Sequence, residues 1–169
     1  RRRGRAGPLS VVVLGGIHGR PELNTSDLVW QLLETFAGSG VPPHVSLVFV
    51  PEANPDGIAE GTRELADGVD PNRNFPTSDW KAGTYGPGKW LADGGGGWPL
   101  SEPETIAVAQ LIERTHPGAV VSYHSAGGIA MRGSRSLCSQ WTTDSCSTYL
   151  QCSQQSWPSS PRDRTAALV

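Results

Sequence analysis

Two short apolar runs that bracket one amphipathic segment constrain this chain more than any other feature. Leu9–Leu14 and Val45–Val50 are rich in β-branched residues and carry no charge, which is the composition of strands buried on both faces. The first run stops at Gly15-Gly16 and the second at Pro51, residues that punctuate strands. Between them, Leu28, Leu32 and Phe36 share one helical face, with Val29 and Leu33 beside them. Asn24, Thr25 and Ser26 offer N-caps, and Gly38-Ser39-Gly40 stops the helix. Strand, helix and strand in this rhythm require a right-handed crossover and a parallel pair.

Residues 51–100 have little periodicity and contain Asn-Pro-Asp-Gly, Gly-Pro-Gly and four consecutive glycines. A loop this long in a compact domain is functional or disordered. Ser101-Glu102-Pro103-Glu104 then reads as a capping box with Pro in the first turn. It opens a helix to about Thr115 whose apolar face includes Ile106, Val108, Leu111 and Ile112. A third strand follows over 119–123. The expected fold is α/β, with a mixed, largely parallel sheet and helices on both faces.

Three segments are expected. Residues 1–8 form a basic, solvated end, 9–128 hold the domain, and 129–169 form a polar tail of low order. The change of character after about residue 128 reads as disorder, truncation of the domain, or loss of the natural reading frame. The 169 residues suffice for one domain with a real core. A net charge of −2 favours neither nucleic acid nor a membrane surface. No run of ~18 apolar residues is present, so no membrane span is expected, and no secretory signal is visible. The chain does not begin with Met, so compartment stays open, as does oligomeric state. Cys138, Cys146 and Cys152 match neither a zinc knuckle nor a redox pair.

Two of the four histidines stand out by position. His18 follows the first strand and His124 ends the last, at the strand edge where open α/β sheets bind ligands. Glu22 lies close after His18. Two imidazoles and one carboxylate form a catalytic zinc set, with a fourth position left for water. Zinc so held polarises a carbonyl and lowers the pKa of bound water to roughly 7. A ligating histidine needs an acceptor on its other ring nitrogen, for which Asp70 and Asp56 are candidates. His44 and His116, each beside Pro in a loop, read as ordinary loop residues.

Six motifs in order carry a resemblance over roughly residues 9–128. They are Gly-Gly-Ile-His-Gly…Glu, Asn54-Pro55-Asp56-Gly57, Gly61-Thr62-Arg63, Val69-Asp70-Pro71-Asn72-Arg73-Asn74-Phe75, Ser101-Glu102-Pro103-Glu104 and Tyr123-His124-Ser125. Together they resemble the zinc carboxypeptidase family, most of all its bacterial branch with murein-peptide-cleaving members. The resemblance implies one Zn2+ ion held by His18, Glu22 and His124. It implies that Asn72 and Arg73 grip the substrate's terminal carboxylate, a task suited to a guanidinium fork. It implies Arg63 as the group that polarises the scissile carbonyl and stabilises the oxyanion, and Asp70 as the partner of the first histidine. The implied substrate is a peptide or murein peptide with a free C-terminal carboxylate, hydrolysed by zinc-activated water.

Three departures from the family pattern matter. The first two ligands are spaced His-x-x-x-Glu rather than His-x-x-Glu. Pro71 stands where Leu or Ala is expected and removes one backbone donor. The family's general base, a later Glu, is not found: no Glu follows Glu113, the later acids are Asp144 and Asp163, and the tyrosine after His124 is Tyr149. Two alternatives follow, an N-acyl amino acid deacylase of the aspartoacylase and succinylglutamate desuccinylase type, and a non-catalytic fragment that binds zinc and a carboxylate. A non-haem iron oxygenase, which uses the same ligand set, is set aside because those enzymes are β-rich barrels.

Overall fold

In the computed structural model, residues 9–86 and 88–125 are described in full, and two further strands, at 130–133 and 148–153, by their backbone. The chain order is β1 (Leu9–Leu14), α1 (Leu23–Ser39), β2 (Val45–Val50), α2 (Pro55–Glu60), β3 (Thr84–Gly86), β4 (Lys89–Leu91), α3 (Pro103–Thr115), β5 (Ala119–His124), β6 (Ala130–Gly133) and β7 (Thr148–Ser153). Three-residue 3-10 turns stand at Arg20–Glu22 and Pro71–Arg73.

The main sheet has the order β2-β1-β5-β7-β6. Its pairs are parallel except for the antiparallel β6 and β7, so it is mixed and largely parallel, as expected. Register sets the two faces. Val12 lies opposite Val48 and Val120, and Leu14 opposite Val50. These side chains cluster with Val108, Leu111 and Ile112 of α3. The alternate residues look the other way, and Phe49, opposite Val13, stacks on Phe36 of α1 at 6.2 Å. The helices therefore cover both faces. Val12 and Val29 are fully buried, each such side chain contributing roughly 1.5–3 kcal/mol.

The sequence misplaces several details. α1 starts at Leu23 with Glu22 as its N-cap and no side-chain cap bond. The Thr25 hydroxyl is otherwise engaged, donating to Glu22 O at 2.7 Å and accepting from Gly16 N at 3.0 Å. Ser101 is not the cap of α3 either. That position is Glu102, while Ser101 Oγ accepts from Asn74 and donates to the Glu102 carboxylate. The long loop contains α2, capped by the Asn54 side chain, and the β3–β4 hairpin. The tail contributes β6 and β7, and β7 pairs along the free edge of β5, where an apolar central strand would otherwise stand unpaired. Residues 1–8, Cys138, Asp144, Cys146 and Asp163 lie outside the described residues. Among those described, no helix is long and apolar enough to cross a membrane.

Candidate metal centre

β1 ends in a loop that carries His18, and β5 ends on His124. Because the two strands are parallel neighbours, both histidines arrive at the same edge of the sheet. The extra residue before Glu22 is absorbed locally. Gly19 takes φ 54°, and the turn Arg20–Glu22 swings the carboxylate back beneath His18. A Cβ at position 19 would stand 2.2 Å from Thr62 O, so only glycine fits between these loops. His18, Glu22 and His124 are all buried.

Three nitrogen and oxygen donors converge there. His18 Nδ1 lies 2.9 Å from Glu22 Oε1, His124 Nδ1 lies 3.2 Å from Glu22 Oε2, and the two Nδ1 atoms are 3.1 Å apart. Zinc bonds of roughly 2.0–2.1 Å imply a tetrahedral edge of about 3.3 Å, so the triangle has the size of one face of such a site. Its chemistry also fits. Two neutral imidazole nitrogens and a carboxylate can all present lone pairs to one point, and a cation between them satisfies all three groups. Glu22 Oε2 also accepts from Ser125 N at 3.3 Å.

A polar shell surrounds the triangle. Asp70 Oδ1 lies 3.3 Å from His18 Nε2 and accepts from Asn72 N at 2.9 Å. Arg63 Nη2 lies 2.8 Å from His18 Nε2 and 3.2 Å from Asp70 Oδ2, and Nη1 is 3.5 Å from Glu22 Oε1. Arg63 Nε is buried without a partner. Burial works against charging His18, yet hydrogen bonds to Asp70 and Glu22 raise its pKa above the ordinary value. Burial likewise opposes ionisation of Asp70, but the hydrogen bond to His18 and the positive charges of His18, Arg63 and Arg73 hold its carboxyl down at about 2. Glu22, buried against His124 and His18, is held well below the usual carboxylate range.

Asn72 and Arg73 sit in the turn that Asp70 caps. Pro71 takes the first position of that turn, where its missing N–H costs nothing. Arg73 is exposed, and its Nη1 donates to Asn72 O at 3.1 Å. Both residues border a cavity of about 390 Å³, shared with Phe75, Trp80, Lys81 and Thr84. Asp56, the second sequence candidate for partnering a histidine, is exposed in the first turn of α2 and takes no part. Its place in the first turn of α2 faces solvent rather than the sheet edge. His44 and His116 are exposed loop residues with φ 69° and 42°.

Sequence reasoning missed two fully buried asparagines. Asn54 Oδ1 accepts from Gly57 N at 2.8 Å, while Nδ2 donates to Arg63 O and Glu64 O at 3.2 and 3.3 Å. It ties the Arg63 loop to α2. Asn74 bridges the 71–75 segment to the loop before α3. Both stand inside the quoted motifs, but a short polar side chain in a loop reads as a turn former, and nothing in the sequence marks it as buried.

A family model described as zinc carboxypeptidase matches residues 2–162. Murein peptide amidase A of Escherichia coli K12 is 39% identical over 125 residues, covering 68% of this chain and 48% of that protein. The chain thus spans about half the length of the curated relatives it matches. Among solved structures, murein-tripeptide amidase from Escherichia coli O157 superposes with a TM-score of 0.66 at 26% identity, over 95% of this chain and 77% of that one. Carboxypeptidase A from Helicoverpa armigera gives 0.61 at 18% identity, over 89% and 46% of the two chains; that likeness concerns the fold alone.

Proposed function

Given that the chain belongs to the zinc carboxypeptidase family, we propose that it supplies the metal-holding part of a hydrolase that cleaves a peptide bond next to a free carboxylate. The observation that carries this reading is the buried triangle of His18 Nδ1, His124 Nδ1 and the Glu22 carboxylate. His18, Glu22 and His124 would hold one Zn2+. Bound there, zinc supplies a Lewis acid for the scissile carbonyl and a water acidified to near neutrality.

The chain's own residues do the rest. Asp70 Oδ1, 3.3 Å from His18 Nε2, is placed to accept a proton from that nitrogen when Nδ1 ligates. Arg63 stands beside the triangle with an unspent buried N–H, a donor suited to the oxygen of a polarised carbonyl. Arg73, exposed at the cavity rim with Asn72, receives the terminal carboxylate bidentately. The relatives named for murein peptides favour a cell-wall peptide over a protein tail.

A second reading, zinc and carboxylate binding without turnover, rests on the acids around the site. Glu22 lies between the imidazoles and Asp70 beneath His18, so neither is placed as a general base. Incubating the zinc-loaded chain with N-acyl dipeptides, their amides and an N-acyl amino acid tests these readings. Hydrolysis of the free-carboxylate peptides alone supports the proposal, cleavage of the N-acyl amino acid alone supports a deacylase, and binding without hydrolysis supports the second reading.

A further inference from the structure

We propose that Asn74 is the positioning residue that sets the carboxylate-gripping turn, by locking Asn72 and Arg73 to the glycine-rich loop and the start of α3. The inference rests on the assignment of Arg73 given above. Arg73 itself is exposed, and its Nη1 donates to its neighbour's carbonyl. A flexible cation of that kind discriminates poorly unless its backbone is fixed.

Asn74 provides the fixation. Its side chain is fully buried. Nδ2 faces Gly95 O at 2.8 Å, Trp98 O at 3.1 Å and Ser101 Oγ at 2.8 Å. Oδ1 accepts from Thr105 Oγ1 at 2.6 Å and from Glu102 N at 3.3 Å. Its backbone O accepts from Leu100 N at 2.7 Å. One buried side chain thus meets donors and acceptors of both the glycine-rich loop and the start of α3, in a position where each unmet group is costly. At the other end of the turn, Asp70 N donates to Gly94 O at 2.9 Å, so the segment carrying Asn72 and Arg73 is clamped on both sides. The loop is shaped to receive the amide. Gly96 has φ 81°, and a Cβ there would stand 2.5 Å from Asn74 Nδ2 and 2.3 Å from Ser101 Oγ. Gly95 O also accepts from Trp80 Nε1 at 3.0 Å, so the same carbonyl ties the turn to Trp80 of the cavity lining.

The test compares binding of N-acetyl dipeptides with a free carboxylate against the same peptides as amides, by calorimetry on the zinc-loaded full chain. Asn74→Asp keeps the size but removes the donors, Asn74→Ala removes both ends, and Ser101→Ala deletes one partner and leaves the rest. The Asn74 variants are expected to lose carboxylate-over-amide preference by roughly tenfold or more, and Ser101→Ala by less, while zinc stays at one per chain. Arg73→Ala, run alongside, should lose the preference as well. If Arg73→Ala loses it and the Asn74 variants and Ser101→Ala keep it, the inference falls alone. If preference and zinc are lost together in the Asn74 variants and Ser101→Ala changes nothing, Asn74 is structural only and the inference falls. If the unaltered chain shows no preference, the reading of Arg73 falls first and takes the inference with it.

Discussion

His18 Nδ1 and His124 Nδ1 lie 3.1 Å apart although they stand 106 positions apart in the chain. Parallel pairing of β1 with β5, Leu14 opposite Ser122, delivers both rings to one sheet edge. If this contact exists to hold a metal, His18→Ala and His124→Ala should each abolish stoichiometric zinc binding while leaving helical and strand content unchanged by circular dichroism. Full zinc retention in both variants would remove the assignment.

Asp70 should matter to the metal without touching it. Replacing a carboxylate behind a ligating histidine typically weakens metal affinity by ~10–100-fold. Asp70→Asn keeps the size and the cap but loses the charge, so a competition titration with a chelator should read a loss in that range. No change would mean that His18 is oriented by Arg63 alone.

The pH dependence follows from the signs of the shifts. In the metal-free chain the raised pKa of His18 stabilises the fold fully below about 6.5 and is lost as pH rises through its folded value. The depressed pKa values of Glu22 and Asp70 contribute above about 4 and are lost as pH falls toward their folded values. Zinc must displace the proton from Nδ1. The rise in Tm on saturation with zinc is therefore predicted to grow between about pH 5.5 and about pH 8. A shift independent of pH would show that no imidazole is a ligand.

Gly19 gives a test of the loop geometry. An alanine there combines φ 54° with a Cβ 2.2 Å from Thr62 O. Gly19→Ala should cost more than about 2 kcal/mol in denaturant unfolding and lower zinc affinity with it. A neutral substitution would mean that the Arg20–Glu22 turn is not held against the Arg63 loop.

Legibility in the sequence followed the kind of signal available. β1 and β2 were readable to the residue because continuous β-branched runs end at Gly or Pro. That His18, Glu22 and His124 meet at one sheet edge was readable because strand ends and motif order agree. The start of α1 was not, since Thr25 looks like a cap and instead holds Gly16 and Glu22. β3 and β4, three residues each, are too short to show alternation, and their Tyr85–Trp90 edge contact at 4.9 Å appears only once they pair. Asn54 and Asn74 were invisible as buried hubs because burial of a loop amide is a tertiary fact. The His-x-x-x-Glu spacing departed from the pattern, yet a 3-10 turn makes the required contact.

The central claim is that one zinc ion sits between two imidazole nitrogens and a carboxylate, and X-ray absorption at the zinc edge of the loaded chain addresses it most directly. The predicted spectrum has about two imidazole nitrogens at roughly 2.0–2.1 Å, with the rest of the shell oxygen. A sulfur shell at about 2.3 Å, drawn from Cys138, Cys146 or Cys152, would place the metal elsewhere and contradict the account.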